Sequence, residues 1–465
     1  MLKYALKYHH DSAQLFERIA AQPWAVLLDS GQMLDPKTGK PGSQYGRYDI
    51  IVAQPFITLV TQGEVTTITQ NGLAETSQED PFLLVKNLLS QYKAHKSELP
   101  FTGGALGYFS YDLARRLEKL PNIKTPETLP EMMLGIYDWA VVVDHREQKT
   151  CLVSQGLNAN THNILPALLT IFDEPFKPTP ASFKVTSIIE SNLTELQYSQ
   201  AFAEVMAYIS AGDCYQVNLA QRFSANVEGD SWLAYKKLRQ ISPAPFMAYM
   251  NLPLNETESL QVLSHSPERF IQTDGDHVET RPIKGTRPRS LDAAQDSACS
   301  SGLLTSEKDR AENLMIVDLL RNDLSKTCVK VKVNQLFQLQ SFANVHHLVS
   351  IIVAKLMPNK TAVDVLRSCF PGGSITGAPK LRAMQIIDEL EPNNRGLYCG
   401  AIGYIGFDGD MDTNIAIRTA VVCKNQINFY AGGGIVADSE LEKEYNETLD
   451  KASNLITVMQ FFMRL

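Results

Sequence analysis

The chain has 465 residues of ordinary globular composition, 44% of them hydrophobic, and a formal net charge of −8, so it can bury a large core and gives no electrostatic reason to expect a nucleic-acid partner. Its seven cysteines are scattered and form no C-x-x-C pair, which indicates a reducing compartment and thiols that pack as small core residues. Because residues 1–10 carry no secretory signal and no run reaches 18 apolar residues, we expect a cytoplasmic protein with no membrane partner.

The first 175 residues show short alternating strands with turns between them, interrupted by one helix over residues 81–95. Two of the strands are expected to form a hairpin around residues 145–149. The predicted strands are 24–28, 56–60, 64–68, 139–144 and 151–154.

Residues 174–193 are rich in Pro, Ser, Lys and Glu and are the best linker candidate. We therefore expect two regions, 1–175 and 190–465. In the second region, strands over 400–407, 412–423 and 426–430 follow one another through tight turns, which favours antiparallel pairing. Amphipathic helices are predicted over 194–211, 306–322, 362–369, 378–390 and 440–459.

Lys284 lies between a proline turn and Gly285, with Arg281, Arg287 and Arg289 close by in sequence. Like charges and burial both disfavour an ammonium ion, so this lysine is placed to act as a neutral amine, which is a nucleophile. The alternative is a solvated basic loop without chemistry.

One face of the last predicted helix is acidic. Glu440, Glu444, Glu447 and Lys451 are spaced four, three and four residues apart, which puts them on the same side of a helix. The alternative is a solvated face with a Glu447–Lys451 ion pair.

Glu312 lies on the apolar stripe of the helix over 306–322, and a carboxylate there must find a cation, a metal ion or a proton. An ion pair with Arg321 is one solution. Together with Glu444 and Glu447, the other is oxygen ligation of Mg²⁺, which typically uses one or two carboxylates, waters and an anionic group of the substrate.

Two glycine-rich segments, 371–380 and 431–435, allow close approach of a ligand to the backbone. The first precedes a predicted helix, whose free N–H groups would form an anion site. Its glycine spacing is not that of a P-loop. The alternative for the first segment is a turn that serves only tight packing.

Four further polar residues lie next to apolar strands. Glu268 precedes a strand start, where burial would raise its pKa and suit it to donate a proton. His346 and His347 have no third ligand at zinc spacing and are interpreted as hydrogen-bonding histidines. Arg418, followed by Thr419, is interpreted as the end of a strand, where it could clamp a carboxylate.

Taken together, these segments resemble the chorismate-utilising enzymes, over nearly the whole chain and most densely between residues 198 and 451. The motifs are long, specific and in the family's order. They lie at residues 212–223, 266–270, 282–286, 309–314, 373–380, 395–400 and 444–448.

The resemblance implies an α+β fold, in which two large facing antiparallel β-sheets carry helices on the outside. Anthranilate synthases have alanine at the position of Lys284, whereas the branch that aminates chorismate has lysine. Isochorismate and salicylate synthases place a water-activating lysine where this chain has Gln216. The implied reaction is therefore the conversion of chorismate and ammonia to 4-amino-4-deoxychorismate, for 4-aminobenzoate and folate synthesis. The rivals are anthranilate synthesis and a non-catalytic amino-acid sensor.

The resemblance also assigns roles within the site. Lys284 would add to C2 of chorismate while Glu268 gives a proton to the departing 4-hydroxyl. Mg²⁺ would be held by Glu312 and Glu447, with Glu444 through water. The residues expected to bind the substrate are Thr376, His347, Tyr398, Arg418, Gly434 and Lys451.

Two further ligands follow from the resemblance. Ammonia would come from a separate glutamine amidotransferase subunit. The N-terminal half would hold a pocket for L-tryptophan, expected as a buried structural ligand. The residues expected in that pocket are Ser30, Tyr45, Gly46, Arg47, Tyr48, Pro245, Phe246 and Met247.

Overall fold

The structure is a computed structural model that describes residues 1–31, 45–118, 120, 129–342 and 345–464. In chain order its strands are β1 (Leu2–Leu6), β2 (Ala25–Asp29), β3 (Tyr48–Val52), β4 (Ile57–Gln62), β5 (Val65–Gln70), β6 (Leu73–Ser77), β7 (Gly104–Phe109), β8 (Met132–Tyr137), β9 (Trp139–Asp144), β10 (Lys149–Ser154), β11 (Phe183–Val185), β12 (Glu190–Ser191), β13 (Gln216–Gly229), β14 (Phe246–Pro253), β15 (Ser259–Ser266), β16 (Arg269–Asp274), β17 (His277–Thr280), β18 (Ile283–Pro288), β19 (Cys328–Ser341), β20 (Val345–Leu356), β21 (Gly377–Ala378), β22 (Ala401–Gly406), β23 (Met411–Ile415), β24 (Thr419–Cys423) and β25 (Gln426–Ile435).

The α-helices lie outside the sheets. The chain also has two short 3₁₀ helices, at Tyr111–Arg116 and Gly373–Ile375. In chain order the α-helices are α1 (Ala13–Phe16), α2 (Pro81–Leu89), α3 (Ala159–Asp173), α4 (Glu195–Ser210), α5 (Ser231–Ile241), α6 (Ala293–Thr305), α7 (Glu307–Ser325), α8 (Ala362–Cys369), α9 (Lys380–Leu390) and α10 (Leu441–Met463). In the described part of the chain, no helix is long and apolar enough to cross a membrane.

The strands form two large antiparallel sheets. The first has the order β1-β10-β9-β3-β2-β14-β15-β24-β25-β13-β11, with β12 and β21 also paired to β13. The second has the order β18-β20-β17-β16-β23-β22-β7-β8-β4-β5-β6, with β19 paired to β20. The predicted α+β class with two antiparallel sheets and external helices is confirmed.

The two sheets face each other across a shared apolar core. Alternate residues of each strand point to opposite faces, and one buried cluster joins Ala248 and Val262 of the first sheet to Leu106 and Met133 of the second. The outer faces pack against helices: α1, α3, α4, α5, α9 and α10 cover the first sheet, and α2, α7 and α8 cover the second. The sheets are therefore sandwiched between two layers of helix.

Several sequence-based boundaries needed correction. The segment expected as a linker contributes β11 and β12 to the first sheet. Helices α3, α5 and α6 were not predicted. Each sheet contains strands from both predicted regions, and the division at residues 175–190 stays a prediction.

The strand predicted over 412–423 is two strands in different sheets. β23 belongs to the second sheet and β24 to the first. Arg418 lies between them with a φ of 52°, a left-handed conformation that interrupts an extended strand. Arg418 therefore precedes a strand instead of ending one, at the point where the chain crosses between sheets.

Candidate active site

Lys284 lies on a β-bulge. The register of β18 against β20 shifts between Ile283 and Thr286, so Lys284 and Gly285 together occupy the space of a single partner residue. Gly285 has a φ of 81°, and a Cβ there would lie 2.7 Å from a methyl carbon of Leu303. Glycine is therefore required beside the lysine, and the bulge turns Lys284 so that its Nζ donates to the carbonyl of Ser374 at 3.3 Å.

The three arginines near Lys284 are engaged elsewhere. Each donates to a different carboxylate: Arg281 to Glu279, Arg287 to Asp309 and Arg289 to Asp296. The expected crowding of the lysine by like charges is offset by these ion pairs. The charges that interact with Lys284 include the carboxylates of Glu268 and Glu312.

Glu268 is a buried acid that shares a hydrogen-bond partner, Ser374, with this lysine. It lies between β15 and β16 and accepts a hydrogen bond from Ser374 Oγ at 3.0 Å. Burial raises the pKa of Glu268 to about 7, against the opposing effects of Lys284 and the Ser374 hydroxyl. A carboxyl group in this state can hold a proton near neutral pH and give it to a leaving group.

Three further carboxylates come from two helices. Glu312 lies on α7, and Glu444 and Glu447 lie one turn apart on α10. Burial raises the pKa of Glu312, and Glu444 adds to that rise, whereas Lys284 opposes it. The alternative ion pair is absent within the described residues, because Arg321 instead pairs with Asp318 at 3.3 Å.

Glu444 and Glu447 face lysines and a glycine. Glu444 is only 3% exposed, so the expectation of a wholly solvated acidic face is wrong for this residue, and it accepts from Ser439 Oγ at 2.6 Å. Glu447 forms the predicted pair with Lys451, at 2.5 Å. Partial burial acts to raise the pKa of Glu447. The charge and hydrogen bond of Lys451 have the larger combined effect, so the pKa of Glu447 is lowered.

The carboxylates fit a divalent cation in their chemistry, and a glycine keeps the space beside two of them open. All three offer oxygen atoms, which Mg²⁺ prefers. A Cβ at Gly433 would lie 3.0 Å from Glu444 Oε2 and 3.7 Å from Glu447 Oε1, so glycine leaves the space beside both acids open. Among the described residues, no three side chains already converge closely enough to enclose a metal ion.

Arg418 presents a half-buried cation that has no carboxylate partner among the described residues. Within the described ranges, no Asp or Glu lies within 4.0 Å of its guanidinium. Burial lowers the pKa of Arg418, while Tyr398 and Glu447 act in the other direction, which places both near the guanidinium. Tyr398 itself stacks on Tyr430 at a ring separation of 5.3 Å.

Two of the other predicted substrate-binding residues are held by hydrogen bonds to backbone carbonyls. Thr376 donates to the Gly372 carbonyl at 3.1 Å, and Lys451 donates to the Gly432 carbonyl at 2.9 Å. Burial and the nearby Arg418 lower the pKa of His347 to about 4, so its ring is neutral at pH 7.

Gly434 lies within β25, opposite Asn218 of β13. The segment 431–435 is therefore part of strand β25. Gly434 packs closely against β13, because a Cβ at this position would lie 2.0 Å from Gln216 Nε2. Both polar atoms of this buried glutamine lack a hydrogen-bond partner among the described residues.

A separate cavity of about 290 Å³ lies between the two sheets. Except for Gly46, all the residues predicted for the tryptophan pocket line it. Sequence analysis missed other lining residues, including Arg269, which pairs with Asp412 at 2.8 Å. The position of Arg269, directly after Glu268, was the available signal.

Comparison with known proteins identifies what the chain is similar to. The family model described as chorismate binding enzyme matches residues 42–457. Aminodeoxychorismate synthase component 1 of Escherichia coli (strain K12) is 47% identical over 98% of each chain, and its counterpart from Salmonella typhimurium is 45% identical over 97% of this chain and 96% of the other. The crystal structure of anthranilate synthase component I from Streptococcus pneumoniae superposes with a TM-score of 0.74 at 31% identity, covering 88% of this chain and 92% of that one.

Proposed function

We propose that this chain, which belongs to the chorismate-binding enzyme family, aminates chorismate to 4-amino-4-deoxychorismate. The relatives at 45–47% identity over nearly the full length are named for this reaction. The observation that carries the proposal within the site is the lysine at position 284, hydrogen-bonded to the same serine as the acid Glu268. An amine nucleophile and a proton donor are the two groups that displacement of a hydroxyl requires.

The reaction divides into two displacements. The Lys284 amine forms a bond to C2 of chorismate, both ring double bonds shift toward C4, and the C4–O bond breaks. Glu268 gives its proton to that oxygen, which leaves as water. Ammonia then bonds to C4, both double bonds return to their original positions, and the C2–N bond to the lysine breaks. The proton released by the adding nitrogen restores Glu268, so the enzyme ends unchanged.

We assign Glu312 and Glu447, with Glu444 through water, as the residues that would hold Mg²⁺. When bound, the ion would neutralise the ring carboxylate of chorismate. Arg418, Tyr398 and the backbone of Gly434 would hold the enolpyruvyl carboxylate. That carboxylate would supply the anionic partner that the half-buried guanidinium of Arg418 lacks among the described residues. Thr376, His347 and Lys451 would line the ring.

Two further partners belong to the proposal. The name component 1, carried by the relatives, implies a second subunit, and we assign it the supply of ammonia from glutamine. We also propose that the 290 Å³ cavity binds L-tryptophan. Apolar and aromatic walls with an Arg269–Asp412 pair suit a zwitterion that carries a large aromatic ring.

The test is direct turnover by the purified chain. Chorismate, Mg²⁺ and ammonium are supplied, and products are separated and weighed by mass spectrometry. We expect an aminated product that retains the enolpyruvyl group, and a chorismate-derived adduct on Lys284 in intact-mass spectra. Anthranilate with free pyruvate would favour the rival synthase. No turnover, together with tight tryptophan binding, would favour the sensor.

A further inference from the structure

Arg395 is the most deeply buried guanidinium near the proposed site. Its side chain is 1% exposed, and Glu391, four residues earlier, neutralises it. Glu391 accepts from Nε at 2.9 Å and from a terminal nitrogen at 2.6 Å, so the two side chains meet in a two-point contact. A buried pair with this geometry has fixed orientation as well as compensated charge.

The remaining guanidinium hydrogens are directed at backbone carbonyls. One terminal nitrogen donates to the carbonyl of Ile375 at 3.0 Å, and the other donates to the carbonyl of Asn218 at 2.8 Å. Ile375 lies between Ser374, which contacts both Lys284 and Glu268, and Thr376. Arg395 therefore ties the turn that carries Ser374 to strand β13.

The same two residues reach further parts of the site. Glu391 accepts from the backbone N–H of Ala220 at 2.9 Å, two residues along β13 from Asn218, which pairs with Gly434. The guanidinium carbon lies 5.5 Å from the ring centre of Tyr398, within the range of a cation–π contact. The Arg395–Glu391 ion pair thus contacts the turn at Ile375, strand β13 and the ring of Tyr398.

We propose that Arg395, held by Glu391, is a positioning residue that fixes Ser374 so that Lys284 and Glu268 meet the substrate together. This inference rests on the proposed amination. Arg395 contacts no reacting atom in this scheme and acts through the Ile375 carbonyl. The planar guanidinium group of Arg395 donates to Glu391 and to two backbone carbonyls at the same time. A lysine ammonium group cannot reproduce this geometry.

The test uses Arg395→Lys in the full chain, which keeps the charge and loses the fork. We expect kcat for amination to fall about 100-fold, as for a reacting group displaced by about 1 Å. The rate of adduct formation on Lys284 should fall with it, while KM for chorismate changes little. The second variant is Ser374→Ala. If Arg395 acts through Ser374, the double variant should be little slower than the slower single variant.

The pH profile separates positioning from general loss of stability. Glu268 faces Lys284, Lys451, the Ser374 hydroxyl and Cys399, and the Ser374 hydrogen bond lowers its pKa. Displacement of Ser374 should therefore move the alkaline limb of the kcat/KM profile to higher pH in both Arg395→Lys and Ser374→Ala.

The matched control is Arg239→Lys, a buried arginine that pairs with Asp29 and Asp11 and has no contact with residues 374–376. Arg239→Lys should lower thermal stability without moving the alkaline limb.

If Arg395→Lys does not fold, Glu391→Gln replaces it, and kcat is expected to fall about tenfold with a shift of the alkaline limb in the same direction. Additive effects of Arg395→Lys and Ser374→Ala, or an unmoved limb, would overturn the inference. Failure of the parent chain to aminate chorismate would instead overturn the proposed function.

Discussion

The hydroxyl of Ser374 donates to the carboxylate of Glu268 at 3.0 Å, while the carbonyl of the same serine accepts from Lys284. One residue thereby contacts both the proposed nucleophile, on strand β18, and the proposed proton donor, between β15 and β16. In the proposed reaction these two groups act on C2 and on the C4 oxygen of the same substrate, and this shared contact would hold them in place for one displacement.

Replacement of Lys284 should abolish amination. We expect Lys284→Ala to lower the rate of aminodeoxychorismate formation at least about 1,000-fold, since loss of an essential nucleophile leaves only binding and electrostatic effects. The intact-mass adduct should disappear with it. The matched control, Lys308→Ala, removes a neighbouring lysine and should retain the adduct. Full activity in Lys284→Ala would contradict the nucleophile assignment.

Glu268→Gln should lower kcat about 100- to 10,000-fold, the usual range for a lost general acid. In the parent enzyme Glu268 must be protonated to act. Because its pKa is raised to about 7, kcat/KM should fall as pH rises above about 7. This limb should be missing from the pH profile of the variant, measured with saturating ammonia held constant. A limb of the same pKa in Glu268→Gln would assign it to another group.

The same substitution should stabilise the folded chain at alkaline pH. The pKa of Glu268 rises from its ordinary value of 4.5 to about 7 on folding, so the folded state retains a proton that the unfolded state releases. Stability is therefore lost as pH rises through this window. The difference corresponds to about 3 kcal/mol. Chemical unfolding at pH 5 and pH 8 should show that Glu268→Gln gains free energy of unfolding mainly at pH 8.

Gly285→Ala should misplace Lys284 and lower stability. Its φ of 81° disfavours any residue with a Cβ, and that atom would lie 2.7 Å from Leu303 and 2.9 Å from Asp309. We expect a loss of about 2 kcal/mol in the free energy of unfolding and a lower kcat. Gly72→Ala is the control, because Gly72 has a φ of 76° with no atom within 4 Å of the added Cβ. It should show only the backbone cost, with unchanged kcat.

Much of the fold was predictable because its signals are local. The apolar stripes of α7 and α10 and the short apolar runs of β9 and β10 gave elements within a few residues of those observed. Helix α6 gave no such signal, since only Leu303 of its residues is buried. The break at Arg418 was missed because an apolar run cannot reveal that its halves join different sheets.

The sequence named candidate residues for the site but could not give their electrostatic surroundings. The sequence places Lys284 among arginines, and only the fold shows that each of these arginines pairs with a carboxylate. Likewise the role of Ser374 depends on contacts with residues 90 and 106 positions away. Sequence periodicity cannot predict contacts between residues so far apart in the chain. The glycine beside Lys284 and the spacing of Glu444 and Glu447 could be recognised because they are local features.

Removal of Mg²⁺ by a chelator should abolish amination, and added Mg²⁺ should restore it. Glu447→Gln should raise the Mg²⁺ concentration needed for half-maximal activity at least about tenfold, since one ligand charge is lost. Calorimetric titration of Mg²⁺ into the chain without chorismate provides a readout that does not depend on turnover. Glu442→Gln is the matched control, because Glu442 lies on the exposed face of α10. Equal effects of both substitutions would count against the assignment.

Binding of L-tryptophan to the 290 Å³ cavity should stabilise the chain without inhibiting it. A ligand present at 100 times its Kd adds about 2.7 kcal/mol to the free energy of unfolding, so L-tryptophan should raise the thermal midpoint in a concentration-dependent way. Phe246→Ala should weaken the rise, because Phe246 lines the cavity and packs 5.1 Å from the Arg269 guanidinium. Phe461→Ala, on the exposed end of α10, should leave it unchanged. If L-tryptophan instead lowers kcat in parallel with binding, the cavity is a regulatory site and the structural role proposed for it is wrong.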